Sequence, residues 1–231
     1  MLLGLVMFGH TSCKKEGAED LGLSRANGVY YYHFTDADRL WLQTRQGDEW
    51  RLENTSGYQR VYRANVVSNL KAESRKTSMG IPSFSKLLNY YDLVYLYLNR
   101  VDSLNKGGTT LRFYRDAAML TNLNSGGYNE HVSQFYAEGE NSEFVGNTDL
   151  ISDYFSCRGM KFPRGAALNG PFQQLTVRGH TYHEVVAFIS TARGSTCRAL
   201  PPAALQELYY DRQAGLVRMV SQGGEVWERV L

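Results

Sequence analysis

Apolar and polar residues alternate along most of this chain, and from Val29 onward the period of that alternation is two. Such a pattern places successive side chains on opposite faces of an extended backbone, as in a strand that is buried on one side. The 16 tyrosines and 22 glycines, against five prolines, supply strand formers and turn formers. The sequence therefore predicts a mainly β fold, an antiparallel meander that forms a curved sheet, a sandwich or an open barrel, with few short helices.

The clearest predicted strand covers residues 93–99, where apolar side chains fall on both faces, so we expect it to lie centrally in the sheet. Residues 71–86 are polar and contain Gly80 and Pro82, which predicts a long loop. Residues 138–170 have little periodicity. Further strands are predicted over residues 29–34, 39–44, 50–54, 58–69, 110–120, 132–136, 174–177, 183–190, 206–210 and 216–220.

The turn residues and the charged side chains of the last hairpin predict its register. A turn over residues 211–215, with Gly215 in the left-handed conformation, leads into the first of its strands. A three-residue loop at 222–224 would then set Arg218 opposite Glu228, whereas a two-residue loop would set it opposite Arg229. Like charges directly across a sheet are destabilising, so we predict the three-residue loop.

The N-terminus carries a short apolar run over residues 2–8, which as a helix would span only ~10 Å of the ~30 Å hydrocarbon core. Small polar residues, then Cys13, Lys14 and Lys15, follow it, which is typical of an export signal. The Ser-Cys-Lys-Lys-Glu stretch resembles the lipoprotein signal peptides of Bacteroidota. The resemblance implies that residues 1–12 are cleaved and that Cys13 is acylated. The charged, Gly-containing residues 13–27 are then expected to form a tether. The chain length and the strand pattern predict a single antiparallel β domain over residues 28–231. The alternative is a buried cysteine after an apolar N-terminal strand.

The chain has three cysteines, and an odd number in an exported protein leaves one thiol over. Acylation of Cys13 would use that thiol. The other two, Cys157 and Cys197, are then predicted to form a disulfide in an oxidising compartment. Two free thiols, or a catalytic cysteine with a histidine base, are the alternatives.

The C-terminal stretch gives a second resemblance. Tyr209-Tyr210, then Gly215-Leu216-Val217, then a Gly-Glu-x-Trp run that ends at Trp227 are similar to the ends of many uncharacterised Bacteroidota lipoproteins. The resemblance implies strands that close an antiparallel sheet, and it carries no known activity.

Residues His180, His183 and Glu184 are the only weak candidates for a metal site. On a helix the two histidines would share a face, but their neighbours are strand formers, and on a strand residues three apart point to opposite faces. We therefore predict a strand and no metal or other cofactor.

The chain also lacks a Gly-x-Ser-x-Gly elbow and a phosphate-binding glycine loop. Its 25 basic and 23 acidic residues nearly balance, which does not favour nucleic acid as a partner.

Aromatic side chains on a sheet face can stack on sugars or hold an apolar ligand, or can simply cover a half-buried face. The candidates are Tyr30, Tyr32, Tyr95, Tyr97, Tyr209 and Tyr210.

A second set of candidates is acidic. These residues could form a glycosidase pair or a solvated loop: Glu138, Glu140, Glu143, Asp149 and Asp153.

These observations predict an envelope lipoprotein, held by its lipid at the outer membrane on the periplasmic or the external side. Its β domain is expected to bind an envelope protein, a glycan or an apolar ligand. The alternative is a lipid-anchored hydrolase whose site is assembled from residues distant in the sequence.

Overall fold

The computed structural model describes residues 20–76, 86–103, 108–119, 128–141, 168, 171–189, 202 and 205–231. Cys13, Cys157 and Cys197 lie outside these ranges, as do residues 1–19, the predicted tip of the 71–86 loop and most of residues 138–170. Neither helical segment among the described residues is long and apolar enough to cross a membrane.

The described residues form twelve strands, one short α-helix and one 3₁₀ helix. The helix α1 covers Asp36–Arg39, and the 3₁₀ helix covers Leu40–Leu42. The strands are β1 Leu23–Ala26, β2 Val29–Tyr32, β3 Glu49–Asn54, β4 Gln59–Lys76, β5 Lys86–Arg100, β6 Gly108–Met119, β7 Tyr128–Asn141, β8 Gln173–Val177, β9 His180–Ile189, β10 Leu205–Asp211, β11 Gly215–Ser221 and β12 Val226–Val230. The predicted mainly β fold is confirmed.

All twelve strands belong to one sheet, which is mostly antiparallel and does not close. Its main path runs β1-β2-β5-β4-β3-β12-β11-β10-β9-β8, and β6 and β7 extend it beyond β5. The order is not that of a simple meander, because β3 pairs with β12 and because β2 pairs with β5 in parallel. As predicted, β5 lies inside the sheet: β4 occupies one of its edges, and β2 and β6 share the other.

The sheet curves back on itself around one large core. The rings of Phe113 on β6 and Tyr210 on β10 lie 5.8 Å apart, although the pairing path between them runs through β5, β4, β3, β12 and β11. Trp50, Leu98 and Leu208 belong to the same buried cluster. Alternate residues on the opposite face form two smaller clusters, one around Tyr114 and Tyr136 and one around Val185 and Val217. This curvature brings residues of distant strands together at one end of the core.

The last hairpin has the predicted register. Arg218 lies opposite Glu228, Met219 opposite Trp227 and Val220 opposite Val226. The Arg218 and Glu228 side chains form an ion pair. Gly215 takes the left-handed conformation, with φ of 78°, as the turn before β11 predicts.

The strand predicted over residues 39–44 is wrong, because residues 39–42 are helical and residues 43–44 belong to no strand. Thr35 and Asp38 form a capping box: the Thr35 hydroxyl accepts from the Asp38 backbone and the Asp38 carboxylate accepts from the Thr35 backbone. The alternation of apolar and polar residues after Arg39 is too short to oppose this local start signal.

The loop predicted over residues 71–86 is also partly wrong, because β4 continues to Lys76 and β5 begins at Lys86. A bulge at residues 69–72, with Lys71 at φ of 58°, interrupts β4 without ending it. Side chains of β4 beyond this bulge are mostly exposed, so no apolar face is present in the sequence to indicate a strand.

Candidate functional site

Residues 34–44 form a plug over one end of the curved sheet. Phe34 and Trp41 point into the core and are almost fully buried. The capping box starts α1 directly after Phe34, and acidic residues in the first turn suit the positive end of the helix. The plug is therefore a local structure that contributes two large aromatic side chains to a core built mainly by strands.

Side chains of the sheet hold the plug at both ends. The Arg115 Nε on β6 lies 2.5 Å from the Asp38 Oδ2, and both side chains are nearly buried. The Thr44 hydroxyl lies 2.7 Å from the Tyr210 hydroxyl on β10. Arg115 also donates to the Leu21 carbonyl and to Ser133, so the same guanidinium connects the plug, the N-terminal segment and β7. These contacts fix the plug between β6 and β10.

A buried carboxylate fixes the start of the plug. Asp92 on β5 accepts hydrogen bonds from the backbone of Phe34 at 2.9 Å, from the backbone of Lys71 at 2.9 Å and from the Tyr31 hydroxyl at 2.8 Å. Burial, and then the hydrogen bond to Asp92, raise the pKa of Tyr31 to about 12. One carboxylate thus joins β2, the bulge in β4 and the entry to the plug.

A cavity of about 330 Å³ lies between the plug and the sheet. Its inner wall consists of buried apolar and aromatic side chains: Phe34, Trp41, Val94, Leu96, Phe113 and Tyr210. Its outer part is lined by Leu42, Val66 and Leu70 and by the polar residues Arg39, Gln43, Thr44 and Ser68. A mostly apolar concavity with a few polar groups at one end is typical of a small-molecule site.

The tyrosines predicted as a ligand face do not lie on one face. Tyr210 is buried and lines the cavity, whereas the Tyr95 and Tyr97 rings stack at 5.9 Å on the opposite face of the sheet. Tyr209 donates to Glu207 at 2.6 Å, and burial followed by this hydrogen bond raises its pKa to about 12. Only Tyr210 among the four belongs to the cavity.

The other tyrosine candidates have structural partners. The Tyr30 hydroxyl lies 2.7 Å from the His131 Nδ1, and the Tyr32 hydroxyl donates to the Glu130 carbonyl at 3.0 Å. Both contacts join the β1–β2 hairpin to β7.

The acidic candidates that the structure describes lie on β7. Glu138 accepts from Tyr114 at 2.7 Å and lies 3.6 Å from Arg112. Glu140 lies opposite Thr110, while Glu143, Asp149 and Asp153 are outside the described residues. Glu138 does not line the cavity.

The histidine candidates lie on β9, as the strand prediction requires. His180 packs edge-on against Tyr182 with 4.6 Å between ring centroids, and Glu184 forms an ion pair with Arg212 at 2.8 Å. His183 is exposed. Across the described parts of the chain, no three or more His, Cys, Asp or Glu side chains are grouped so that they could hold a metal ion.

Reasoning from the sequence missed the plug and therefore the cavity. The signal that could have found it is the Thr-Asp-Ala-Asp stretch at residues 35–38, where a hydroxyl is followed three residues later by a carboxylate. The remaining wall residues come from β4, β5, β6 and β10, and no local pattern brings these strands together.

No protein-family model, curated protein or solved structure matches the chain. The cavity and the residue pattern around Cys13 are the two features of the chain that bear on its function.

Proposed function

We propose that the chain is a lipid-anchored protein of the bacterial envelope whose β domain binds a small apolar ligand beneath the plug. The cavity of about 330 Å³ is the observation that carries the binding role. Binding pockets have volumes of roughly 300 to 1,000 Å³, and an apolar cavity of about 150 Å³ is enough for benzene. The cavity therefore has room for about a dozen non-hydrogen atoms.

The anchoring part of the proposal is supported by the sequence around Cys13. Charged residues follow this cysteine directly, and an apolar run precedes it. Two or more acyl chains, at ~0.8 kcal/mol per buried CH₂, would give a stable anchor at the outer membrane, whereas one chain gives a marginal one. The Cys157–Cys197 disulfide belongs to the same proposal, because an exported protein folds under oxidising conditions.

Ligand binding can be tested with 1-aminonaphthalene, a neutral fluorescent molecule of about the size that the cavity accepts. The full chain carrying Cys13→Ser avoids detergent, which would compete for an apolar site. We expect saturable binding with an increase in fluorescence. Ser68→Trp should abolish it, since Ser68 lines the cavity and is exposed enough to accept a larger side chain.

Asn69→Trp is the matched control for this substitution. Asn69 is the next residue of β4, is also exposed and does not line the cavity. Its replacement should leave dye binding unchanged. Absence of saturable binding in the parent protein, or equal binding by all three proteins, would show that the cavity is not a ligand site.

Anchoring is tested by the intact mass of the protein from the membrane fraction of its own bacterium. We expect loss of residues 1–12 and a mass increase of two or three acyl chains at Cys13, both absent in Cys13→Ala. Alkylation before reduction should leave Cys157 and Cys197 unmodified. An N-terminus that is neither cleaved nor acylated would exclude the anchor. If the protein is anchored, labelling of intact cells decides between the periplasmic and the external side of the outer membrane.

A further inference from the structure

The polarity of the cavity changes from its inner end to its mouth. The side chains deepest in it, including Trp41, Leu96 and Phe113, are apolar and almost fully buried. Arg39 and Gln43, which also line it, are exposed and belong to the plug. A ligand that fills this space thus has an apolar end in the core and a second end at the surface, next to a guanidinium and an amide.

Arg39 is the single charged side chain among the described residues that line the cavity. Its ion-pair partner is Asp36, with 3.9 Å between the Arg39 Nε and the Asp36 Oδ1, and both side chains are largely exposed. A pair of this length in water contributes little. The guanidinium can therefore turn to a ligand at small cost and present two parallel N–H donors to a carboxylate or phosphate.

Two other cations near the plug are already neutralised. Arg115 pairs with the buried Asp38, and Arg212 pairs with Glu184. Both guanidinium groups serve the structure of the plug, and neither lines the cavity. The charge that a ligand meets at the mouth is thus that of Arg39.

From this arrangement, which rests on the proposed function, we infer that the ligand is a single-chain amphiphile with an anionic head. Its chain occupies the apolar end of the cavity, and its head lies at the mouth against Arg39, with the Gln43 side chain beside it. The volume limits the chain to medium length, about eight to ten carbons within the walls. Arg39 is the residue that selects the head.

The inference is tested by displacement of 1-aminonaphthalene from the full chain carrying Cys13→Ser, with octanoate, octan-1-ol and octylammonium as competitors. An ionised head is costly to bury in an apolar site, so a cavity without a head-binding group would prefer the alcohol. We expect octanoate to bind about fivefold more tightly than octan-1-ol, because a charge-assisted hydrogen bond forms at a partly exposed site. Octylammonium should bind most weakly.

Arg39→Gln should remove the preference for octanoate over octan-1-ol, each measured by its competition with the dye. Arg45→Gln is the control, since Arg45 is exposed just after the plug and does not line the cavity. If octanoate has no advantage, or keeps it in Arg39→Gln, the inference about the head is overturned while the cavity remains a ligand site. If the dye does not bind the parent protein, both proposals fail.

Discussion

Gly215 lies where the turn after β10 meets the large core. It has a positive φ of 78°, and a Cβ added there would come within 2.7 Å of the Trp50 ring. The Trp50 indole donates to the Ala214 carbonyl at 3.1 Å, so the ring cannot move away freely. Both the backbone conformation and the close approach therefore require glycine at this position.

Gly215→Ala should lower the free energy of unfolding by about 2 to 4 kcal/mol, the sum of left-handed strain and displacement of a buried ring. Gly224→Ala is the matched control, because Gly224 has a φ of 81° but open space around it. It should cost only about 1 kcal/mol. Urea denaturation of the two variants measures the difference, and equal losses would contradict the role given to Trp50.

The plug gives a prediction at the scale of an element. Asp38→Ala removes the capping box and leaves the nearly buried Arg115 without its carboxylate. Breaking a buried pair in this way costs about 3 to 5 kcal/mol. We expect a stability loss of that size, together with faster hydrogen exchange over residues 35–44.

Asp36→Ala is the control for the plug. Asp36 lies in the same first turn, but its side chain is fully exposed and its contact with Arg39 is 3.9 Å long. Its removal should cost less than about 1 kcal/mol and leave the exchange pattern of the plug unchanged. A similar loss in both variants would mean that negative charge in the first turn, and not the pair with Arg115, holds the plug.

The β11–β12 hairpin allows a test of register by charge exchange. Glu228→Arg would place two cations opposite each other and should cost about 1 kcal/mol, because Arg218 is the directly opposite residue. The double variant Arg218→Glu with Glu228→Arg should recover most of that loss. A double-mutant cycle from urea denaturation gives the coupling, and additive losses would exclude the pairing as a source of stability.

The contrast between this hairpin and the plug shows what the sequence can predict at this scale. The register of β11 and β12 follows from residues ten positions apart or fewer, so local charge and turn chemistry determine it. The plug depends instead on Asp38 meeting Arg115, which lies far along the chain. The sequence does not predict the continuation of β4 to Lys76 for another reason, because an exposed strand has no alternation of apolar and polar residues.

At the scale of the whole molecule, the cavity is a product of pairings between distant segments. The β3–β12 pairing joins residues near 52 to residues near 229, and the parallel β2–β5 pairing joins residues near 31 to residues near 90. The alternation of apolar and polar residues predicts which residues of each strand are buried, but it does not predict the order of the strands in the sheet. The burial of the apolar wall residues could thus be predicted from the sequence. Their proximity at one site could not.

The same curvature buries tyrosine hydroxyls, which predicts how stability changes at high pH. Burial raises the pKa of Tyr210 from its ordinary value of 10.0 to about 12, and burial also raises the pKa of Tyr32. Above about pH 10 the unfolded chain releases the Tyr210 proton while the folded chain keeps it, so the stability present below that pH is lost as the pH rises toward 12. Each such tyrosine costs about 1.4 kcal/mol per pH unit in this window. Urea denaturation across this range should therefore give a shallower decline for Tyr210→Phe than for the parent protein. The decline should be unchanged for Tyr58→Phe, which removes the hydroxyl of an exposed tyrosine. Identical declines in the parent and Tyr210→Phe would show that the Tyr210 hydroxyl does not retain its proton in the folded protein.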